Sequence, residues 1–193
     1  MWQDTTQKAL QVFVDGIAQA IPGVLFTGTA DASIASSTTE TTIVPSGVPV
    51  AGGLDLVAGF WTAGKTLRIT MIGLLRSKAS SPGTFTVKIK LGSIIIATTG
   101  GFSLEAALSD VITNIELLMT CRSTGVSGTV RAMGTLEHLE AAGVNRAVKL
   151  FTQGGGMTVD TTAAVTLSVT GQFSVSDVAN VWTTVDCSFE VLN

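Results

Sequence analysis

The sequence predicts an all-β protein, an antiparallel jelly-roll-like β-sandwich that carries a short helical arm at its N-terminus. Beyond residue 23, apolar and polar residues alternate in one run after another, which is the pattern of strands with one buried and one wetter face. Clusters of Gly, Pro, Ser and Asp separate these runs as turns. About eight long strands joined in this way favour an antiparallel sandwich, and the jelly roll is a common closed form of it.

The first residues of the chain follow a different period. Asp4 with Gln7 resembles a helix N-cap with its capping-box partner, and Pro22 ends the segment. The residues between them place apolar side chains at helical spacing. The chain is therefore expected to divide into an amphipathic helix or arm at 1–23 and a β-sandwich domain at 24–193. The apolar positions of the predicted helix are Leu10, Phe13, Val14, Ile17 and Ile21.

Two roles for this arm are open on the sequence. It can pack across its own domain, or it can dock on a neighbouring subunit that would also cover the tryptophan ahead of it. For the second role, the candidate subunit-contact residues are Trp2, Leu10, Phe13, Val14 and Ile17.

Each strand of the sandwich is recognised by its alternation, in order along the chain. Between two of them, Gly92-Ser93 forms a tight hairpin turn. In the last run the odd-numbered residues, such as Val181 and Val185, are assigned to one face. Trp182 then lies on the opposite face, over a second layer or a subunit contact. The predicted strands lie in "TGTADASIASSTTETTIVPSG", "AGGLDLVAGF", "KTLRITMIGLLRS", "FTVKIKLGSIIIATT" and the runs 115–121, 130–138, 165–171 and 181–191.

Residues 59–66 read "GFWTAGKT", a complete match to the pattern of a phosphate-binding P-loop. A P-loop must open a helix, because the N-terminal amides of that helix hold the phosphates. The residues after Thr66 instead alternate with a period of two and predict a strand. Phe60 and Trp61 also place bulky groups where the backbone would wrap around the ligand. We therefore predict a hairpin-type turn at residues 62–65 and no nucleotide site.

The composition restricts the classes of partner. Charged residues make up only 13% of the chain and hydrophobic residues 46%, so the surface must consist largely of Thr, Ser, Gly and Ala. A surface with so little charge favours a protein that is packed into an assembly. The net charge is −3 and the basic residues are scattered, which argues against nucleic-acid binding. No apolar stretch reaches the length of a membrane span, and the N-terminus lacks the pattern of a secretory signal, so folding in the cytoplasm is expected.

No residue type stands out as carrying chemistry, and we expect no enzymatic activity, no cofactor and no metal. His138 is the only histidine, and no nucleophile elbow accompanies it. Cys121 and Cys187 are set in strands, where buried thiols are expected and a disulfide stays open. Paired carboxylates for glycoside cleavage stay open too, because their separation depends on the fold. The carboxylates at turn and solvent-face positions are Asp110, Glu116, Glu137 and Glu140.

Three stretches carry a resemblance to a known class of proteins: "FWTAGKTLRITMIGLLRS", "GTFTVKIKLGSIIIATT" and the C-terminal "SFEVLN". In its general sequence pattern over roughly residues 24–193, the chain resembles the jelly-roll structural proteins of tailed-bacteriophage virions. The match is to head decoration or cement proteins and related capsid fibre proteins. The resemblance implies a non-enzymatic virion component, usually a homotrimer, that clamps neighbouring subunits of the shell. Its partners would be the major capsid protein or other virion subunits.

Two other classes of function are weighed beside this one. The first is a phage tail or fibre module that binds a host receptor or polysaccharide. Such a tip usually displays exposed aromatic residues, and the tryptophans of this chain are Trp2, Trp61 and Trp182. The second is an enzyme, either the nucleotide hydrolase considered above or a sandwich glycosidase.

Overall fold

The structure is a computed structural model of the chain. It describes residues 2–4, 9–14, 17–20, 23–28, 30–45, 53–139, 146–151 and 156–193. For residues 2–4, 9–14, 17–20, 139 and 146 the backbone alone is described.

Every regular element in these described ranges is a β-strand. In chain order the strands are β1 (Trp2–Asp4), β2 (Ala9–Val14), β3 (Ile17–Ala20), β4 (Gly23–Thr27), β5 (Ala32–Ala35), β6 (Thr41–Thr42), β7 (Leu54–Leu56), β8 (Thr66–Arg76), β9 (Thr84–Leu91), β10 (Ile94–Thr98), β11 (Phe102–Ser103), β12 (Val111–Ser123), β13 (Gly128–Leu139), β14 (Arg146–Leu150), β15 (Met157–Val159), β16 (Val165–Phe173) and β17 (Val181–Val191).

Two antiparallel sheets form the sandwich. The large sheet has the order β14-β13-β12-β8-β17-β4, with β15 paired to β13 and β5 paired to β17. The small sheet has the order β10-β9-β16-β6, with β11 paired to β9 and β7 paired to β16. The apolar faces of the two sheets pack on each other, which is the arrangement of a sandwich.

The strand pairing is that of a jelly roll. From β4 to β17 the chain forms one long hairpin, in which the first strands pair with the last and the inner strands pair in turn. Thus β4 and β5 pair with β17, β6 and β7 with β16, β8 with β12, and β9 with β10. Rolling up this hairpin brings β17 against β8 and β16 against β9. The predicted jelly-roll-like sandwich is therefore confirmed, with β13, β14 and β15 added at one edge.

A tryptophan lies at the centre of the core and joins the two sheets. The Trp182 ring on β17 stacks on Phe85 of β9, with 5.3 Å between ring centroids. Its Nε1 donates a hydrogen bond to Thr184 Oγ1 over 2.8 Å, and that hydroxyl donates to the Ile43 carbonyl oxygen over 2.6 Å. The indole is thus buried with its polar atom satisfied, as a stable core requires. Around it the inward residues of β8 and β9 are buried: Leu67, Ile69, Met71, Leu75, Phe85, Val87, Ile89 and Leu91.

The register of β17 corrects one expectation. A β-bulge between Thr184 and Asp186 shifts the alternation by one residue. Trp182 and Thr184 therefore face the core before the bulge, whereas Cys187 faces it afterwards. Val185, assigned from the sequence to the same face as the core residues, lies at the bulge and is exposed.

The N-terminal segment also differs from the prediction. In place of a helix within 1–23, β1, β2 and β3 form an antiparallel sheet of their own. Val14 pairs with Ile17, and the sequence between them is Asp15-Gly16, the dipeptide that two-residue hairpins prefer. Glycine is also among the poorest helix formers. The Asp-Gly signal therefore outweighs the helical spacing of the apolar residues.

Candidate functional site

The turn at residues 59–66 is the first site to consider, because its sequence matches a P-loop. The Lys65 amide donates to the Thr62 carbonyl oxygen over 2.9 Å, which closes the β-turn predicted at residues 62–65. Strand β8 begins at Thr66, so the predicted strand is confirmed, and the element that follows this loop is a strand instead of the helix that a P-loop requires. Phe60 and Trp61 are buried in the core. The turn connects β7 of the small sheet to β8 of the large sheet, so it is a crossing between sheets rather than a hairpin.

The lysine and the neighbouring backbone groups of this turn are bonded within the protein, whereas Trp61 Nε1 is buried without a hydrogen-bond partner among the described residues. Lys65 Nζ donates to the Phe60 carbonyl oxygen over 2.6 Å and lies 4.6 Å from the centroid of the Phe60 ring. Burial of the ammonium group lowers the pKa of Lys65. The Thr66 amide donates to Asn193 Oδ1 over 2.8 Å, and Asn193 Nδ2 donates to the Gly64 carbonyl oxygen over 3.1 Å. The lysine and the amide that would hold a phosphate in a P-loop therefore have structural partners here.

The histidine and the two cysteines do not come together. His138 is buried on β13, paired in register with Thr113, and its ring stacks on Phe102 at 5.7 Å. Both thiols are free and buried, as predicted. Cys121 lies on β12 and Cys187 on β17, with β8 between these strands, a spacing too wide for a disulfide. Burial raises the pKa of both thiols, that of Cys187 to about 12.

The carboxylates considered for glycoside cleavage are dispersed. Asp110 accepts hydrogen bonds from Arg76 Nε at 2.6 Å and Nη2 at 2.5 Å, so it forms a surface ion pair. Glu116 lies on the outward side of β12 near Arg68, and Glu137 on β13 pairs in register with Asn114. Glu140 lies outside the described residues. Across the described ranges, no cluster of three or more His, Cys, Asp or Glu residues has the arrangement of a metal site, and no helix there is long and apolar enough to span a bilayer.

The feature that does stand out is the outward-facing side of the large sheet. Met133 on β13 is 65% exposed and Leu150 on β14 is 67% exposed. Leu118 of β12 pairs with Met133, and Leu150 pairs with Thr135, which follows Met133 on the same side of β13. Leu118, Met133 and Leu150 are therefore neighbours in an apolar surface of the kind that marks contact sites. We call this outward side of the large sheet the outer face. Its exposed apolar residues are Ile112, Leu118, Met133, Val148 and Leu150. Glu116, 4.0 Å from Arg68, lies between Ile112 and Leu118 along β12.

The opposite side of the sandwich has a different character. On the small sheet, Lys88 Nζ and Lys90 Nζ donate to the two Glu40 carboxylate oxygens over 2.7 and 2.8 Å, and Thr170 Oγ1 donates to the same group over 3.0 Å. The hydrogen bond from Lys88, followed by that from Lys90, lowers the pKa of Glu40 to about 2. This cluster fastens the segment before β6 to the sheet. It is a closed network of hydrogen bonds and ion pairs within the protein.

The predicted subunit-contact residues fall in the N-terminal sheet, where the backbone alone is described. Leu10 pairs with Gln3, Phe13 with Ala18, Val14 with Ile17, and Trp2 with Gln11. The arm-docking role of these residues stays a prediction. Sequence reasoning missed the outer face, although a signal was present: Leu118 and Met133 occupy the polar phase of their strands, where a fully solvated sheet would carry hydrophilic residues.

Comparison with known proteins adds little to this description. No family model matches the chain, and no curated protein matches it in sequence. A structure of infectious bursal disease virus, Gt strain, is similar over 97% of this chain and 38% of that chain, with 11% identity and a TM-score of 0.34. The botulinum neurotoxin serotype G binding domain is similar over 93% of this chain and 46% of that chain, with 6% identity and a TM-score of 0.27. The chain spans less than half the length of either, and TM-scores this low carry no argument about its function.

Proposed function

We propose that the protein is a non-enzymatic structural subunit of a virion, a decoration or cement protein that clamps neighbouring capsid subunits and stabilises the shell. The observation that carries the proposal is the outer face. Met133 and Leu150 are largely exposed, and the chain carries few charges to keep it soluble. A free monomer of this kind is expected to associate with other proteins. An assembled particle would cover this surface permanently.

Three further features support a structural role over a catalytic one. The P-loop match is a turn between sheets in which Lys65 and Thr66 are bonded internally. His138 and the two cysteines lie apart, on different strands. The groups with clearly shifted pKa values are dispersed: Glu40, Arg76 and Asp110 in ion pairs, Lys65 and the two cysteines in buried positions, and Asp160 in an exposed turn where Thr162 donates to it. Catalysis would need several of them at one concave site.

The alternative, a tail or fibre module that binds a host polysaccharide, has less support. Sugar-binding sites usually stack the ligand on exposed aromatic side chains. Every aromatic side chain that the structure describes is buried, including Trp61 and Trp182. The described loops therefore offer no aromatic platform for a sugar.

The partners in this proposal are the major capsid protein or other virion subunits, together with further copies of the chain. The resemblance noted in the sequence implies a homotrimer. The N-terminal strands β1 to β3 form a separate small sheet, which suits a segment that binds a neighbouring subunit.

The test is to delete the gene from the virus that encodes this chain, purify the particles and add the purified protein back. We expect the intact particles to contain the chain in many copies per shell. Particles without it should release their genome at a lower temperature, and added protein should restore the original release temperature. Absence of the chain from purified particles, or no binding of added protein to the deficient shells, would contradict the proposal.

A further inference from the structure

We infer that strand β5 binds the β5 strand of a second copy of this chain, so that the large sheets of the two copies join across a two-fold axis. The inference goes beyond the proposed function, because two copies can pair in this way with or without a shell. It rests on the free backbone groups of β5, on a comparison of β5 with the other edge strands of the sandwich, and on a register in which β5 is complementary to itself.

The backbone of β5 directs hydrogen-bonding groups away from the large sheet. β5 lies at an edge of this sheet and pairs with β17. The Ser36 amide donates to the Asn180 carbonyl oxygen over 3.1 Å, and bonded residues alternate along an antiparallel pair, so Ile34 also bonds to β17. Ser33 and Ala35 therefore direct their N–H and C=O groups to the free edge. Both residues are exposed, and no other described residue bonds these backbone groups.

The other edge strands of the sandwich carry features that discourage pairing with a further chain. Charged residues, β-bulges and very short strands are the usual features of this kind. β14 contains Arg146 and Lys149, and β7 contains Asp55. β10 and β4 each contain a bulge, and β6, β11 and β15 have only two or three residues. β5 instead has the uncharged residues Ala32–Ala35 in unbroken register with β17. It is therefore the described edge strand that is most open to pairing.

An antiparallel two-fold arrangement makes β5 complementary to itself. In a two-fold contact, each residue i that meets residue j is matched by j meeting i. With the axis at Ile34, Ser33 of each copy lies opposite Ala35 of the other. These two residues can exchange both of their backbone hydrogen bonds, as a hydrogen-bonded antiparallel pair does. The pair occurs twice, so every free N–H and C=O group of Ser33 and Ala35 gains a partner.

The side chains of β5 permit this close approach. Ser33 and Ala35 are small, and the Ser33 hydroxyl group is turned back toward β17, where it lies 3.0 Å from Thr183 Oγ1. Their neighbours on β17 are the uncharged Thr183 and Val181, so no like charges meet at the centre of the contact. Ile34 is buried toward the core. The two copies of Ile34 lie side by side at the axis, where they join the apolar cores of the two sandwiches.

The arrangement predicts a dimer, in place of the trimer implied by the sequence resemblance. Sedimentation velocity of the full chain over a wide concentration range should show a monomer–dimer equilibrium, with a dimer of twice the 19.8 kDa chain mass. Ala35→Pro should raise the dimer dissociation constant at least about tenfold, because proline lacks the N–H group that the pairing uses. The sandwich should still fold, since this N–H group faces the free edge, where a sheet tolerates proline.

The matched control is a proline at an exposed turn on the β12–β13 hairpin. Val126 is 74% exposed and follows Gly125 in a turn that the Gly128 amide closes by donating to the Gly125 carbonyl oxygen over 3.0 Å. Proline is favoured at this turn position. Val126→Pro should therefore leave both the fold and the dimer dissociation constant unchanged.

A pair of double variants tests the register. Ser33→Lys with Ala35→Lys places like charges opposite each other twice, so this variant should stay monomeric where the parent dimerises. Ser33→Lys with Ala35→Glu places opposite charges together twice, so it should dimerise at least about tenfold more tightly than the first variant. Far-UV circular dichroism of each variant confirms that the sandwich is folded.

A chain that is monomeric or trimeric at all concentrations would overturn the inference, and so would a dimer that Ala35→Pro leaves unchanged. Double variants of equal affinity would overturn the antiparallel register. If the chain is monomeric and Ala35→Pro abolishes its binding to particles that lack it, β5 pairs with another virion subunit, and the inference is again wrong. These outcomes are distinct from failure of the proposed function. A chain that dimerises through β5 but is absent from particles would refute the virion role alone.

Discussion

The contact between Gly73 and Trp182 offers a quantitative test of the core. Gly73 lies on β8 opposite Thr184 of β17, and its backbone is not in the left-handed region. A methyl group added there would overlap Trp182 Cζ2 and would lie 2.8 Å from Cε2 and Cη2. A side chain at residue 73 would therefore collide with the indole ring of Trp182, whereas the backbone conformation there would accept any residue.

The effect of Gly73→Ala on the free energy of unfolding should depend on residue 182: the substitution should destabilise the protein that has Trp182, but not the protein that has phenylalanine there. In the native protein it should lower the free energy of unfolding by ~1–3 kcal/mol, the usual cost of overpacking a core. Trp182→Phe alone should cost less than the ~3–5 kcal/mol typical of Trp→Ala, and it removes the atoms that a methyl group at residue 73 would meet. In that background, Gly73→Ala should be neutral or stabilise by about 0.5–1 kcal/mol, because alanine is less costly than glycine in a strand interior.

The assay is urea denaturation followed by far-UV circular dichroism, at one protein concentration, for the four proteins of the double-mutant cycle. We expect a coupling energy of about 2 kcal/mol, within the ~0.5–3 kcal/mol range of residues in contact. Additive effects, or a Gly73→Ala protein as stable as the parent, would refute the packing of Trp182 against β8.

Three further predictions concern other parts of the molecule. Glu40→Gln should lower stability at neutral pH by ~1 kcal/mol, because Lys88 and Lys90 lose their shared anion. The pKa of Glu40 falls from 4.5 to about 2 on folding, so its contribution is complete above pH 4.5 and is lost as the pH falls toward 2. The stability difference between the two proteins should therefore shrink over that window, and a constant difference would contradict the ion-pair account. Isothermal titration with ATP and magnesium should give no saturable heat, for the parent or for Lys65→Ala; saturable binding that Lys65→Ala abolishes would contradict the structural role of the 59–66 turn. Removal of residues 1–21 should leave the sandwich folded and weaken binding to particles that lack the chain, because each buried large side chain contributes on the order of 1.5–3 kcal/mol against a cost of ~1 kcal/mol per ordered residue. A large fall in melting temperature with unchanged particle binding would instead show that this segment packs on its own domain.

The strands of the sandwich could be predicted from the sequence because their alternation is regular. Leu67 to Leu75 on β8 and Phe85 to Leu91 on β9 keep a strict period of two, and one face of each strand is buried. The hairpin at Gly92-Ser93 was also predictable, since Leu91 pairs with Ile94 as a two-residue turn requires. The strands and the hairpin follow from residues close together in the sequence, namely the alternation of apolar residues and the Gly-Ser turn.

The bulge in β17, the N-terminal hairpin and the outer face could not be predicted from the spacing of apolar residues alone. The bulge at Val185 reverses the phase of β17, so the alternation before it points to the wrong face. At the N-terminus, the apolar spacing fits a helix, whereas the dipeptide Asp15-Gly16 favours a hairpin. Leu118 and Met133 lie in the polar phase of their strands, which is a signal in the sequence, but only the register of the sheet shows that they are neighbours on one face.

Electron cryomicroscopy of virus particles with and without this chain is the measurement that bears most directly on the central claim. We predict difference density at regular positions on the shell, in contact with more than one capsid subunit, into which the β-sandwich fits. Indistinguishable shells, or density confined to the tail or to a fibre tip, would contradict a role in clamping neighbouring capsid subunits.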